Sequence, residues 1–410
     1  MTSAQRPRLV VHIGAMKTGT TYLQNVLAAN VDALGALGWY VPKQRRVVQA
    51  TTEVLALPGV SIANPAADDV PPATASRRWA ALVDDLREQA ARPGSVGGVV
   101  SMEFLSFARQ VGARRIVESL ADFDVDVVIT VRDAMRALPS QWNALTANGF
   151  QYTWPEFAVG VRAFMAGTKD PAGRPFRRTQ DVPRMVRAWS ASVERDRFTT
   201  LLVPPPAAGL PRSVLWDRFA DVLGVDPART TTEVEFDNPQ LGYGSCELLV
   251  RVNAALDATP TPDYRWVLRR LTREHLLDLR EGQTRPRNDR PTAVAAADLN
   301  ARTLTVAGER TVVVGDRSGL PTHVADDLSL DPGDRPRLAP EAEVRDAAHA
   351  VLAGAVAIGR DLGVDPAPDG LPSLDGDLDT VVRRVAGVLA ATIEARAAQR
   401  ARREHERAQR

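Results

Sequence analysis

The chain has 410 residues, 44% of them hydrophobic and 25% charged, with a formal net charge of +1 at neutral pH. That composition suits an ordinary globular protein with a sizeable core, and it excludes a global field aimed at nucleic acid or an anionic membrane. The single cysteine, Cys246, excludes an intramolecular disulfide framework and is compatible with a reducing cytosol.

Residues 1–8 run into the first apolar stretch without a signal-type core, and nothing later is long enough to span a bilayer, so a cytoplasmic location is the expectation. Leu9–Ile13 reads as a buried strand ending at Gly14, and a helix begins near Gly19 with Leu23, Val26 and Leu27 on one side. Gly38–Pro42 is a short strand, and residues 57–75 form a loop or flap. Ser76–Ala91 is helical, and Val96–Met102 is a second core strand running into Glu103. After a short helix at Ala113–Leu120, Val125–Val131 is a third buried strand ending at Arg132. This alternation predicts right-handed crossovers and a parallel sheet covered on both faces.

Helical pattern follows at Ala134–Asn148, then an aromatic-rich segment at Phe150–Met165 whose Tyr152, Trp154, Phe157 and Phe164 suit a core or pocket wall. A helix at Val182–Val193 leads to a fourth strand, Phe198–Val203, and helices at Ser213–Leu223, Leu241–Leu256 and Arg265–Leu279. From Arg280 to Arg337 the pattern degrades, apart from a possible strand at Thr311–Val314. Ala339–Leu362 and Leu378–Ala401 return to long helices. The last residues, 396–410, are charged all round and read as a solvated helix end. Glu404 and Glu406 interrupt any basic arm, so no nucleic-acid partner is expected.

Two constellations carry chemistry. Gly14, four residues, then Gly19-Thr20-Thr21 has the frame of a phosphate-binding loop, but Thr20 stands where the Walker lysine belongs and the cation sits earlier, at Lys17. Backbone N–H groups of such a loop and its helix N-terminus make a concave anion site. Lys17 is one of only three lysines among 51 basic residues, and a compact point charge suits a phosphate. The second constellation is Arg132, at a strand end, with Ser140 eight residues on: a guanidinium fork plus a hydroxyl suits a phosphate dianion.

Lys17-Thr18-Gly19-Thr20-Thr21-Tyr22-Leu23 resembles the 5′-phosphosulfate loop of sulfotransferases that use 3′-phosphoadenosine 5′-phosphosulfate (PAPS), with Met16, Thr18 and Tyr22 for the usual Pro, Ser and Trp. Arg132 and Ser140 resemble that family's 3′-phosphate pair, in the correct chain order. The resemblance spans about residues 8–150, and residues to about 225 also look like bacterial members. It implies an α/β fold: a P-loop NTPase-like three-layer sandwich with a central parallel sheet, plus a helical C-terminal extension. The boundaries read as a PAPS-binding domain at 8–280 and an extension at 281–410, loop-rich over 281–338.

It also implies roles. Lys17 bridges the 5′-phosphate and the departing sulfuryl group; Thr18, Gly19, Thr20 and Thr21 bind the 5′-phosphate; Arg132 and Ser140 hold the 3′-phosphate. PAPS is the donor and adenosine 3′,5′-bisphosphate the product, with no metal. The acceptor is a hydroxyl on a carbohydrate, lipid or small natural product. Glu103 is the expected general base, with a helix-start acid as the alternative. His12 reads as a hydrogen-bonded core residue, Asp133 as support for Arg132 or the helix start, and Trp142, Asn143 and Phe150 as acceptor-pocket residues. The family's third nucleotide motif, Arg-Lys-Gly-x-x-Gly-Asp-Trp-Lys, is missing. Arg285, Arg287 and Arg290 are available cations without an assigned role. The alternatives are a P-loop kinase or NTPase using ATP and Mg²⁺, for which the lysine is misplaced, and a non-catalytic binding protein on the same fold. The oligomeric state is not legible.

Overall fold

Leu9, Val10 and Val11 are all buried, as are Val99, Val100 and Val127–Ile129. Consecutive buried β-branched residues require strands covered on both faces, the condition of a parallel sheet between helical layers. The computed structural model describes residues 6–57, 76–205, 209–235, 240–256 and 261–409, so most of the loop expected at 57–75 lies outside the described residues.

In chain order the elements are β1 (Arg8–His12), α1 (Thr20–Ala29), α2 (Val31–Ala36), β2 (Trp39–Tyr40), α3 (Gln44–Val54), α4 (Arg77–Ala90) and β3 (Gly97–Ser101). Then come α5 (Gln110–Ser119), β4 (Asp124–Val131), α6 (Ala134–Thr146), α7 (Trp154–Met165), α8 (Arg174–Gln180), α9 (Val182–Trp189) and β5 (Phe198–Leu202). Helices α10 (Val214–Leu223), α11 (Tyr243–Leu256), α12 (Pro262–Leu271) and α13 (Arg290–Arg310) precede β6 (Val312–Val314), and α14 (Glu341–Asp361) and α15 (Leu378–Ala408) follow it.

The strands form one six-stranded sheet in the order β2-β3-β1-β4-β5-β6, every pairing parallel. One face packs on α4, α5 and α9 through Leu9, Val11, Val100 and Ile129; the other packs on α1 and α10 through Val10, Val99, Val128 and Leu201. This is an α/β three-layer sandwich. The chain leaves β1 toward β2 and β3 on one side and leaves β4 toward β5 on the other. The crevice at the carboxyl ends of β1 and β4 is therefore the topological switch point, where ligands of open α/β sheets bind. The C-terminal helices share a third core with α6 and α7, built on Trp142, Trp154, Leu249, Val351 and Val385.

Three helices escaped the sequence reading: α3, α8 and α13. The last falls where the pattern had degraded. Its buried residues are small, including Ala293, Ala296, Ala297 and Ala307, because it lies against α6, α7 and α9 together. A helix with several covered sides shows no single stripe of large apolar residues. The expected strand at Thr311–Val314 is real and is β6, paired with β5 through Thr199 and Val312. The sheet thus takes its last strand from beyond residue 280.

Candidate functional site

The turn after β1 is set by its backbone. Gly14 and Gly19 have φ of 88° and 89°, and Lys17, a residue with a side chain, has φ of 61°. A Cβ on Gly14 would come within 2.8 Å of Glu103 Cβ, so glycine is required both for its φ and for the close approach of the turn after β3. Leu23 donates to Gly19 O at 3.1 Å as α1 begins. Among the described residues, the N–H groups of residues 16–21 make no main-chain hydrogen bond, which leaves them as donors at a helix N-terminus. Thr20 is buried and Thr21 exposed in the first turn of α1.

Thr18 behaves differently from its neighbours. Its hydroxyl donates to Ala15 O at 2.6 Å and shares a 2.6 Å hydrogen bond with Thr130. Thr130 in turn meets His12 Nε2 at 3.2 Å, and His12 Nδ1 meets Ser101 Oγ at 2.8 Å. This buried chain ties β1, β3 and β4 together beneath the loop. The Thr18 hydroxyl serves the loop's shape, leaving its N–H for a ligand. His12 is the core residue expected, and burial pushes its pKa down to about 3.

Lys17 sits half-buried over the switch point. Burial lowers its pKa and the nearby Arg132 adds to that, while Glu103 opposes it. Glu103 opens a 3₁₀ turn, Glu103–Phe107, at the end of β3. Its Oε2 accepts from Gln24 Nε2 of α1 at 2.9 Å, which orients the carboxylate beside the loop. Glu103 and Lys17 are close enough to feel one another's charge without forming a contact ion pair.

Arg132 follows β4 and donates from Nη1 to Lys17 O at 3.4 Å. Burial, with Arg136 nearby, lowers its pKa to about 10, while Asp133 opposes the shift. Asp133 caps α6 through Met135 N (3.0 Å) and accepts from Asn300 of α13 (2.8 Å), so it supports the helix start. Ser140 donates to Arg136 O at 3.3 Å. Arg132 and Ser140 line one cavity of about 520 Å³, joined there by Arg136, Arg280, Arg285 and Arg287. Arg290 lies outside that lining. Trp154 Nε1 donates to Arg287 O (2.8 Å) and Asn288 donates to Met135 O (3.0 Å), pinning this loop against α6. The sequence held no signal for Arg136 or Arg280 beyond their charge, and the convergence is a product of the fold.

Two of the expected pocket residues are core instead. Trp142 is fully buried against Trp154 and Tyr243, and Phe150 packs on Phe157. Asn143, one helical step from Trp142, does line the Arg132 cavity. Among the described residues, no three His, Cys, Asp or Glu side chains gather as a metal-binding group, and no helix is long and apolar enough to cross a membrane.

No family model matches the chain, and no curated protein matches it. Two solved structures do. A sulfotransferase from Alicyclobacillus acidocaldarius is 16% identical with a TM-score of 0.36, covering 62% of this chain and 91% of its own. The sulfotransferase domain from the curacin biosynthetic pathway is 12% identical with a TM-score of 0.32, covering 57% and 80%. At such values the likeness carries no weight beside the residues themselves.

Proposed function

We propose that the chain is a sulfotransferase that takes PAPS as donor and passes its sulfuryl group to an acceptor hydroxyl. The observation that carries this reading is the contact between Arg132 and Lys17 O, which joins the two phosphate-binding constellations at the switch point of the sheet. A donor with phosphates at both its 5′ and 3′ positions suits that pairing. The loop amides of residues 16–21 bind the 5′-phosphate, and Arg132 with Ser140 binds the 3′-phosphate. Arg285 and Arg287, in the same cavity, take the place of the family's absent third motif.

The residues then divide the work. Glu103 accepts the proton of the acceptor hydroxyl as its oxygen attacks sulfur, and the bond from sulfur to the 5′-phosphate oxygen breaks in line. Lys17 neutralises the charge that grows on that leaving oxygen. The αL backbone at Lys17 costs on the order of 1–3 kcal/mol, a strain retained at functional sites where it aims a side chain. A cytoplasmic setting belongs to the same reading.

Calorimetric titration with adenosine 3′,5′-bisphosphate, against ATP with and without Mg²⁺, tests it. Metal-independent binding of the bisphosphate, lost in Arg132→Ala, is the expected result. Preference for ATP with Mg²⁺ would sink the proposal in favour of a kinase, and silence toward both would favour a binding protein.

A further inference from the structure

A second cleft, about 1050 Å³, opens beside α8 and is distinct from the Arg132 cavity. Its apolar surface comes from Phe107, Ala108, Phe164 and Leu55. Its charge comes mostly from two short helices: Arg174, Arg177 and Arg178 of α8, and Arg184 and Arg187 of α9. Arg109 and Lys169 complete the basic set, and Asp170 is the one acid lining it among the described residues. Asp170 also accepts from the amides of Ala172 (2.8 Å) and Gly173 (3.3 Å).

In a chain of net charge +1, this is a local concentration of cations. Residues 58–75, which follow Leu57 in sequence, include two acids, Asp68 and Asp69, and no lysine or arginine. Counting both acids against the cleft still leaves it strongly positive. The arginines are backed by aromatic rings: Arg177 lies 5.8 Å from the Phe164 centroid and Arg178 lies 5.9 Å from that of Phe107. Planar guanidinium groups on aromatic faces, with an apolar floor between them, suit a ligand having both charged groups and a hydrocarbon or ring face.

The cleft adjoins the proposed transfer site through the turn after β3, and α8, which lines the cleft, is tied at its end to the phosphate-binding loop. Phe107 and Ala108 lie at the far end of the 3₁₀ turn that Glu103 begins. Gln180, the last residue of α8, donates to Met16 O of the loop at 2.8 Å and to Gln141, the neighbour of Ser140, at 3.2 Å. Gln180 lies six positions along α8 from Arg174, roughly 9 Å of rise. A ligand held by the α8 arginines therefore lies against Phe107, on the same short turn that carries Glu103.

Resting on the sulfotransferase reading, we propose that this cleft is the acceptor site and that the acceptor is itself a polyanion: a small molecule carrying two or more phosphate, sulfate or carboxylate groups. The cations also offset the repulsion that such an acceptor meets from an anionic donor.

The test uses inorganic tripolyphosphate as probe, titrated calorimetrically into full-length protein saturated with adenosine 3′,5′-bisphosphate. Wild type should bind one equivalent, more weakly as NaCl rises from about 50 to 300 mM. Arg177→Glu with Arg187→Glu, both on exposed side chains, should weaken that binding at least ~10-fold, the size of a lost charge-assisted contact. Bisphosphate affinity should stay within about twofold, since neither residue lines the Arg132 cavity. Lys169→Glu, also exposed, is an independent variant that should lower tripolyphosphate affinity in the same direction. Unchanged tripolyphosphate affinity in these variants, no binding to wild type, or parallel loss of bisphosphate binding would overturn the proposal. Should wild type fail to bind the bisphosphate while the charge reversals still weaken tripolyphosphate binding, the sulfotransferase reading falls and the acceptor role with it, and the cleft stands as a polyanion site only.

Discussion

Arg132 Nη1 donates to the main-chain oxygen of Lys17 across 3.4 Å and 115 residues of sequence. The bond closes the crevice between the turns that follow β1 and β4. It brings the Arg132 guanidinium to the main chain of Lys17, whose ammonium is near enough to feel its charge. The two cations repel: burial is the main cause of the lowered Lys17 pKa, and Arg132 adds to it. An anionic ligand would relieve that repulsion, which is the electrostatic ground for the proposed donor site.

Arg132→Lys should therefore be far from conservative. A lysine keeps the charge but loses the planar fork that meets the Lys17 carbonyl and, in the proposed donor complex, the 3′-phosphate as well. Affinity for adenosine 3′,5′-bisphosphate should fall by roughly 10- to 100-fold, equivalent to one or two charge-assisted hydrogen bonds. Calorimetry reads this directly, and an affinity within about twofold of wild type would remove Arg132 from the donor site.

At Lys17 two substitutions should differ in stability while sharing the loss of activity. Glycine tolerates φ of 61° without strain, so Lys17→Gly should raise the urea-unfolding free energy by about 1 kcal/mol relative to Lys17→Ala. Both variants should lose sulfuryl transfer. Equal stabilities would show that the αL backbone at this position stores no strain.

Glu103→Gln separates the base from the brace. The amide oxygen still accepts from Gln24, so the turn should persist. Turnover should drop by roughly 10²- to 10⁴-fold, with bisphosphate affinity nearly unchanged. Retention of more than half the wild-type turnover would return Glu103 to a purely structural role at the start of its 3₁₀ turn.

His12 predicts an acid-labile core. Its pKa is about 3 in the folded chain against 6.5 ordinarily, because burial penalises the imidazolium. Between those values the unfolded state binds more protons, so stability is whole above about pH 6.5 and declines as pH falls toward 3. By pH 4.5 the loss from this one group amounts to about 2–3 kcal/mol. Urea unfolding at pH 7 and pH 4.5 should show a smaller decline in His12→Asn than in wild type; identical declines would contradict the assignment.

Much of this fold was legible along the chain because β-branched runs and helical periodicity are local signals. The strands ending at Gly14, Glu103 and Arg132 follow from Leu9–Ile13, Val96–Met102 and Val125–Val131, each short, apolar and bounded by turn residues. Helix α13 was not legible, since small residues packed against three helices leave no stripe. Trp142 and Phe150 were misplaced toward a pocket because an aromatic side chain looks the same in a core as in a pocket wall. Their burial depends on α7 and α11, which approach from elsewhere.

The sequence by itself determined the loop chemistry: two glycines, a displaced lysine and a helix start within six residues, and an arginine with a serine two helical turns on. Backbone conformation and helix capping act over a few residues, so such features survive reading in one dimension. Only the tertiary structure decided which groups meet. The parallel crossovers bring Arg132 to Lys17, Glu103 to Gly14, and Arg285 and Arg287 to Ser140. Electrostatics depends on distance through space, and in a sheet of order β2-β3-β1-β4-β5-β6 that distance is unrelated to separation along the chain.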